Sequence, residues 1–466
     1  MSTDAPVGTD AGTPGTSKPP RSPDDPFDQD APAAPPADAP QPGPPPGMPW
    51  QSARDSARRA GGRPLETLRV DAAQALGHAL AEPLVARTDL PPFDTAAMDG
   101  WAVAGPGPWR LHGGLLAGQS PSGPLPDGTA TRIATGAPLP AGATAVLRRE
   151  HGSVEQRGPG GDLLHDHAPR AAEPGRDVRP RGQECRRGEP LLPAGATVTP
   201  AVLGLAAAAG CDRLAVHRRP TVELLLLGDE LLESGPPRDG RVRDALGPLL
   251  HPWLEGCGAR LVGRRLVRDD LALLRDALRH SSADVVVTTG GTAAGPVDFL
   301  HEALTQAGAR LLVDSVAVRP GHPMLLAELP SGSGPAAAGP AGAPGPRSPA
   351  GQPAGTAPRL RHVVGLPGNP LAAVAGAVTL AVPLLRALGG HPAGAARRVL
   401  LADGMPGHPR DTRLLPVRLS EGGAEPLAFD GPAMLRGLAL ADGLAVVPPG
   451  GLPAGAVVEL LEVPGR

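Results

Sequence analysis

Residues Asp284 to Phe299 read DVVVTTGGTAAGPVDF, and no other stretch restricts the fold of this chain as tightly. Val285, Val286 and Val287 are consecutive β-branched residues, favoured in a strand buried on both faces, as in a parallel sheet. Thr288 and Thr289 end the run. Gly290-Gly291 then lets the backbone turn sharply with its N–H groups presented outward. Gly295 and Asp298 follow, so an anion-accepting turn sits beside a carboxylate suited to a metal or a hydroxyl. Alone, the pattern also describes an ordinary glycine turn between a strand and a helix. Three further strands ending in similar turns give it weight.

Those strands lie between residues 220 and 390, where strand and helix patterns alternate. PTVELLLL ends in Gly228-Asp229-Glu230-Leu231. The segment 244–257 sets Leu246, Leu249, Leu250, Trp253, Leu254 and Cys257 on one helical face, closed by Gly258. ARLVGRRLV reads as a strand, and DDLALLRDALRH as a helix with Asp269 as its N-cap. After DVVVTT comes a helix around 297–307. LLVDSVAV ends in Arg319-Pro320-Gly321-His322-Pro323, and MLLAEL follows. HVVG ends in Leu366-Pro367-Gly368-Asn369-Pro370, before an apolar helix from Leu371 to Leu388 that Pro383 should kink. Such alternation predicts a doubly wound, mostly parallel α/β sheet with right-handed crossovers and ligands beyond the carboxyl ends of its strands. All four turns are therefore expected on one rim.

The flanks read differently. Fifteen of the first fifty residues are proline and few are large and apolar, so residues 1–60 are expected to be a disordered tail. LETLRVDAAQALGHALAEPL from Leu65 carries apolar residues at helical spacing. Small β elements with Gly/Pro punctuation run through TRIATGAPLPAGATAV to about Glu189, with 156–172 as a hairpin loop. PAVLGLAAAAG (200–210) reads as a small-residue helix ending at Gly210. Residues 331–358 hold only Arg347 as a charge and read as a flexible insertion. The segment 395–466 has short strands between Gly and Pro, as in a small β-barrel or sandwich.

Composition excludes several classes. A formal net charge of −3 over 466 residues argues against a protein built to grip nucleic acid. The 64 glycines and 62 prolines exceed a quarter of the chain, and 4 Phe, 4 Trp and no Tyr leave the core to Leu, Val and Ala. Three cysteines without a CxxC pair suit a reducing cytoplasm. No apolar run is expected to reach the roughly 18 residues a membrane span requires, and no signal pattern opens the chain. A cytoplasmic protein away from membranes is expected.

The turns point to phosphate chemistry. N–H groups at Gly290-Gly291 and in the 366–370 loop suit a phosphate or pyrophosphate, with Arg319 adding a permanent positive charge. Asp229, Glu230, Asp244 and Asp298 form a candidate set for a hard cation such as Mg²⁺, which takes few carboxylates plus water and phosphate oxygens. No HExxH, no GxxxxGK[ST] and no GxGxxG after the DVVVTT strand occur, which disfavours a zinc hydrolase, a P-loop NTPase and a nicotinamide fold.

Together PPFDTAAMDGWAV, RIATGAPLPAGATAV, GDEL, the GG…G..D turn, RPGHP and LPGNP resemble the MoeA/gephyrin E-domain family of molybdopterin molybdenumtransferases, in order from about residue 64 onward. The resemblance implies a homodimer of elongated subunits: a dimerisation domain from 64–95 and 174–219, a β-rich domain over 96–173, the α/β molybdopterin-binding domain over 220–390, and a β-barrel over 395–466. It implies insertion of molybdate into adenylylated molybdopterin, with Mg²⁺-assisted release of AMP and an upstream molybdopterin adenylyltransferase as a possible partner. Gly290, Gly291 and Asp298 would lie at the pyrophosphate, with Asp229 and Glu230 lining the same cleft. Arg319 and Pro320–Pro323, with Pro367, Gly368, Asn369 and Pro370, would close on the pterin and molybdate. Asp99 and Thr135 would approach the cleft of the partner subunit. Catalytic roles fall to Asp298, Asp229 and Arg319, and metal binding to Asp229, Asp298 and Asp244.

The chain also departs from the family pattern. Ala293 replaces the serine of GGVS, Arg319 and His322 replace the lysines of KPGKP, and Leu371-Ala372 follow PGNP where a serine is usual. Gly182-Gln183-Glu184 replaces GED, LLGDEL replaces STGDEL, and no Asn follows Asp244. Each lost oxyanion donor matters by about 2.7–4 kcal/mol to a barrier. A non-catalytic paralogue that binds a pterin nucleotide or serves as a scaffold is therefore the alternative expectation. A stand-alone molybdopterin adenylyltransferase shares the GG…G..D turn but lacks the flanking motifs.

Overall fold

A computed structural model describes residues 47–158, 161–170, 173–292, 299–330, 360–394 and 396–463. Its centre is a six-stranded sheet. Strands β1 (Thr221–Leu227), β2 (Arg260–Val267), β3 (Val285–Thr289), β4 (Arg310–Asp314), β5 (Leu325–Leu329) and β6 (Arg361–Leu366) lie in the order β2-β1-β3-β6-β5-β4. The first four in that order are parallel; β5 and β4 close the sheet antiparallel.

Side chains alternate across this sheet with the strand period of two. Val222, Leu224, Leu226, Val285, Val287, Val364 and Leu366 face one helical layer. That layer contains α1 (Trp50–Ala60), α2 (Leu246–Gly256) and the long helix Pro370–Leu388. Leu225, Leu227, Val286 and Val363 face helices Leu271–His280 and Leu300–Gln306. Two buried faces explain why these strands read as unbroken apolar runs.

Several expectations need correction. The tail does not run to residue 60: Trp50, Ala53 and Ala57 of α1 are buried against the central domain, and Trp50 Nε1 donates to Thr379 Oγ1 at 3.0 Å. Residues 1–46, like the 331–358 insertion, lie outside the described residues. LETLRVDAAQALGHALAEPL is not a helix. Thr67–Asp71 is a strand paired antiparallel with Arg213–His217, which leaves Leu68 and Leu76 exposed. Asp270, not Asp269, caps its helix, accepting from Leu273 N at 2.9 Å.

One apolar stretch does reach membrane length. Pro370–Leu388 is 19 residues with a mean hydropathy of 2.0 in its most apolar window, but 78% of that window is buried inside the fold. It is a core helix, and the disturbance expected at Pro383 takes the form of a π-helical turn at Ala377–Ala381.

Other parts follow the pattern more closely. A separate six-stranded sheet spans Gly100–Val103 to Leu163–Asp166; the stretch expected as a hairpin loop over 156–172 instead contains the hairpin's second strand, Leu163–Asp166, paired with Gly152–Glu155. Helix Pro200–Ala208 is capped by Thr199 and is followed by Gly210 at φ +78°. The C-terminal sheet is built on Thr412–Ser420, Gly443–Val447 and Val457–Leu461, and it also takes in Met48–Pro49 and Val316–Arg319 from elsewhere in the chain.

Candidate functional site

Three of the four expected turns leave the carboxyl ends of parallel strands: Gly228 after β1, Gly290 after β3 and Pro367 after β6. They touch. Gly290 N donates to Leu366 O at 2.8 Å, a Cβ on Gly290 would stand 3.2 Å from Leu227 O, and one on Gly368 would stand 3.7 Å from Gly290 Cα. Gly290 and Gly291 have φ of +89° and +67°, which glycine adopts without cost.

The fourth turn arrives by another route. Val316–Arg319 was expected to be a strand of the central sheet; instead it pairs with Thr412 and Arg413 of the C-terminal sheet. The chain then crosses back into β5, whose first residue, Leu325, sits opposite Gly365 near the end of β6. Pro320–Pro323 is thereby brought to the same rim. Gly321 has φ +105°, and a Cβ there would meet Ala372 O at 2.9 Å.

Between the 319–323 and 366–370 turns lies a cavity of about 440 Å³. Arg319, Pro320, Gly321, His322, Pro323, Asn369 and Ala372 form one wall, and Arg413, Leu415, Asp430, Gly431 and Pro432 of the C-terminal segment form the other. His322 Nδ1 is buried with no hydrogen-bond partner among the described residues. Arg319 Nε donates to Asp411 Oδ2 at 2.8 Å, while half of its side chain stays exposed. Arg413 donates to Asp430 Oδ2 at 3.0 Å and to Pro406 O at 2.9 Å.

Main-chain donors just beyond the 366–370 loop are already committed. Leu371 N and Ala372 N, at the start of the helix after PGNP, both donate to Pro432 O, at 2.9 and 3.2 Å. Of the N–H groups expected to meet an anion, Gly290 N is committed to Leu366 O at 2.8 Å.

The carboxylates divide. Asp229 is half exposed and pairs with Arg268 at 3.2 Å, while its N–H donates to Asp269 Oδ2 at 3.3 Å. Glu230 is exposed next to it, and its carbonyl accepts from Val242 N at 2.8 Å. Asp244 is buried; Oδ1 accepts from Leu246 N and Gly247 N, both at 2.9 Å, and Oδ2 pairs with Arg264 at 3.2 Å. Its oxygens hold the start of α2, so Asp244 does not present a free face to a cation. Asp298 and Ala293 lie outside the described residues. Among the described residues no group of three or more His, Cys, Asp or Glu is arranged to hold a metal.

Asp99 and Thr135 come together in the separate six-stranded domain. Asp99 Oδ1 accepts from Thr135 N and Thr135 Oγ1, both at 2.7 Å, and these bonds hold its carboxyl below the usual range. Neither residue lines the Arg319 cavity. A larger cavity, about 720 Å³, opens in the Asp99 domain between Gly105–Trp109 and His165-Asp166-His167; neither Asp99 nor Thr135 lines it, and Thr144 is its one lining residue from the RIATGAPLPAGATAV motif. The two histidines are engaged there, with Glu155 at 3.0 Å and Ser153 at 2.6 Å.

Arg413, Asp411, Asp430 and Pro432 were not anticipated from sequence. Their only signal is a DTR step at the head of a strand, and nothing local says which loop that strand will meet.

The fold and this rim, a mostly parallel sheet with glycine turns completed by a C-terminal β segment, define a doubly wound α/β protein with its cleft at the carboxyl ends of the strands. Comparisons with known proteins narrow it. Residues 48–210 match the MoeA N-terminal region (domain I and II), 223–387 a probable molybdopterin binding domain, and 398–463 the MoeA C-terminal region (domain IV). The molybdopterin molybdenumtransferase of Synechococcus elongatus is 33% identical over 291 residues, covering 58% of this chain and 70% of that protein. Molybdopterin molybdenumtransferase 2 of Mycobacterium tuberculosis is 31% identical over 342 residues, covering 70% and 76%. The solved MoeA protein of Pyrococcus horikoshii superposes with a TM-score of 0.66 at 26% identity, covering 90% of this chain and 100% of that one. The chain belongs to the molybdopterin molybdenumtransferase family.

Proposed function

We propose that the protein is a transferase of molybdenum cofactor biosynthesis that inserts molybdate into adenylylated molybdopterin and releases AMP. The observation that carries this reading is the meeting of the 319–323 and 366–370 turns in one cavity, with Arg319 and His322 among its lining residues. A tetrahedral oxyanion is matched by a concave site offering charge-assisted donors from more than one direction. In this reading Arg319 binds and orients the oxyanion, His322 hydrogen-bonds it, and the Gly290-Gly291 turn leaves room for the pyrophosphate.

Asp229 and Asp298 are the residues we assign to Mg²⁺. The exposure of Asp229 suits an ion that takes one or two carboxylates and keeps its waters. When bound, Mg²⁺ would neutralise phosphate charge as AMP leaves. Asp298→Asn is expected to abolish Mg²⁺-dependent turnover with the fold intact by circular dichroism; unchanged turnover removes Asp298 from the site.

We also read the chain as a homodimer of four-domain subunits in which Asp99 and Thr135 face the partner's cleft. Supporting this, helix Pro200–Ala208 is apolar throughout and buries only Ala206. The free thiols of Cys185, Cys211 and Cys257 suit a cytoplasmic setting, and the adenylylated substrate calls for an upstream adenylyltransferase.

The second reading, a scaffold that binds the nucleotide without turnover, is favoured by Ala372, a lining residue of the cavity where the family resemblance expects a serine. Incubating the purified full chain with adenylylated molybdopterin, Mg²⁺ and molybdate separates the two. Molybdate-dependent AMP release is expected; binding of the nucleotide without AMP release would establish the scaffold.

A further inference from the structure

Arg319 reaches the cavity from a strand of the C-terminal sheet, and the group that fixes it is a carboxylate of that same sheet. Resting on the reading of Arg319 as an oxyanion donor, we propose that Asp411 is its positioning residue, aiming the guanidinium into the cavity without itself touching the ligand.

The geometry is specific. Arg319 and Arg413 are directly paired on neighbouring parallel strands, so two cations stand side by side on one sheet. Like charges placed opposite each other repel, and each arginine here has its own carboxylate. Arg413 spends its two terminal nitrogens on Pro406 O and Asp430 Oδ2, which makes it a fixed wall. Arg319 is held differently. Among the described residues only its Nε is engaged, by Asp411 Oδ2 at 2.8 Å, and its side chain is 52% exposed. A guanidinium is planar, with its donors in a rigid fork. Pinning Nε therefore sets the direction of both terminal nitrogens while leaving them available.

Asp411 is preset for this task. It is 9% exposed, so its carboxylate has little room to turn. Its own N–H donates to His408 Nδ1 at 3.0 Å, and Arg410 N donates to the same atom at 3.3 Å. The same nitrogen lies 3.4 Å from Asp411 Oδ2. Asp411 is not among the lining residues of the cavity, whereas Arg319 is. Without Asp411 the long Arg319 side chain would keep its charge and lose its aim.

The test is a double-mutant cycle on the full chain, with molybdate as probe and isothermal titration as readout. Arg319→Ala is expected to weaken molybdate binding at least tenfold. Asp411→Asn should weaken it three- to tenfold with an unchanged melting temperature, and the double variant should bind no worse than Arg319→Ala alone. Asp411→Glu, which keeps the charge one methylene further out, should recover part of the loss and covers the case in which the Asn variant does not fold. If Arg319→Ala weakens binding while Asp411→Asn and Asp411→Glu match the parent, or if the two losses multiply, Asp411 does not act through Arg319 and the proposal is overturned. If Arg319→Ala itself binds like the parent, the assignment of Arg319 under the proposed function fails, and the positioning role fails with it.

Discussion

His391 shows how burial sets behaviour at the level of one residue. It is 9% exposed, its Nδ1 meets Thr197 Oγ1 at 3.0 Å, and desolvation, helped by Arg386, His78, Arg219 and His217, lowers its pKa to about 4. His362 is lowered in the same direction by burial, although Glu328, a hydrogen bond to the Ala60 backbone and Asp284 oppose the shift. For both, the folded state binds fewer protons than the unfolded state below the ordinary histidine pKa near 6.5. Their neutral forms thus cost nothing above that pH, and stability falls as pH drops below about 6.5, for His391 down to about 4. The slope is at most about 1.4 kcal/mol per pH unit for each group. Urea midpoints between pH 6.5 and 5 should decline for the parent and flatten for His391→Gln; equal slopes would contradict this account. At this scale the sequence was partly legible. Arg319 and His322 stood out because they occupy a turn with a recognisable pattern, whereas Asp411 lies 92 positions from the arginine it holds and has no local signature.

Turns and helices carry a different kind of constraint. Gly321 combines φ +105° with an Ala372 carbonyl 2.9 Å from where a methyl would go, whereas Gly77, at φ +78°, has open space around it. Gly77→Ala should cost only its backbone strain, of order 1–3 kcal/mol. Gly321→Ala should cost more and also weaken oxyanion binding, because the loop must move away from the cavity. Denaturation midpoints and molybdate titration of the two variants check both halves; equal losses would mean that the loop yields freely. The central strands were readable because both faces are apolar, and their runs need no knowledge of partners. Thr67–Asp71 was not. Its leucines suggested a helical stripe, yet Leu68 ends up exposed, because pairing with Arg213–His217, some 145 residues away, decides the conformation. The WQSARDSARRA segment hid behind its arginines. Only Trp50, Ala53 and Ala57 reach the core, and two of those are alanines.

For the molecule as a unit, the segment from Met48 to Ala60 acts as a clasp. Met48 and Pro49 pair with Val316 and Ala317 of the strand shared with the C-terminal sheet, and α1 then packs on the long helix of the α/β domain. A chain beginning at Gly47 keeps this clasp, and one beginning at Gly61 loses it. The shorter chain should therefore melt several degrees lower, with early loss of C-terminal sheet structure by hydrogen exchange. Identical exchange in the two would show that the clasp bears no load. The four-turn rim was legible from sequence in its membership, but the opposite wall of the cavity was not, since every residue on it comes from Arg413 onward.

The strand Val316–Arg319 also bears on how the chain can be divided. It sits in the middle of the α/β segment by order and in the C-terminal sheet by hydrogen bonding. A fragment cut at residue 396 would leave behind the neighbour on which Thr412 and Arg413 are seated. An exposed, unsatisfied edge in place of that neighbour invites self-association. The last seventy residues are thus not a removable module, and any chimera that exchanges them must carry the arginine-bearing strand along.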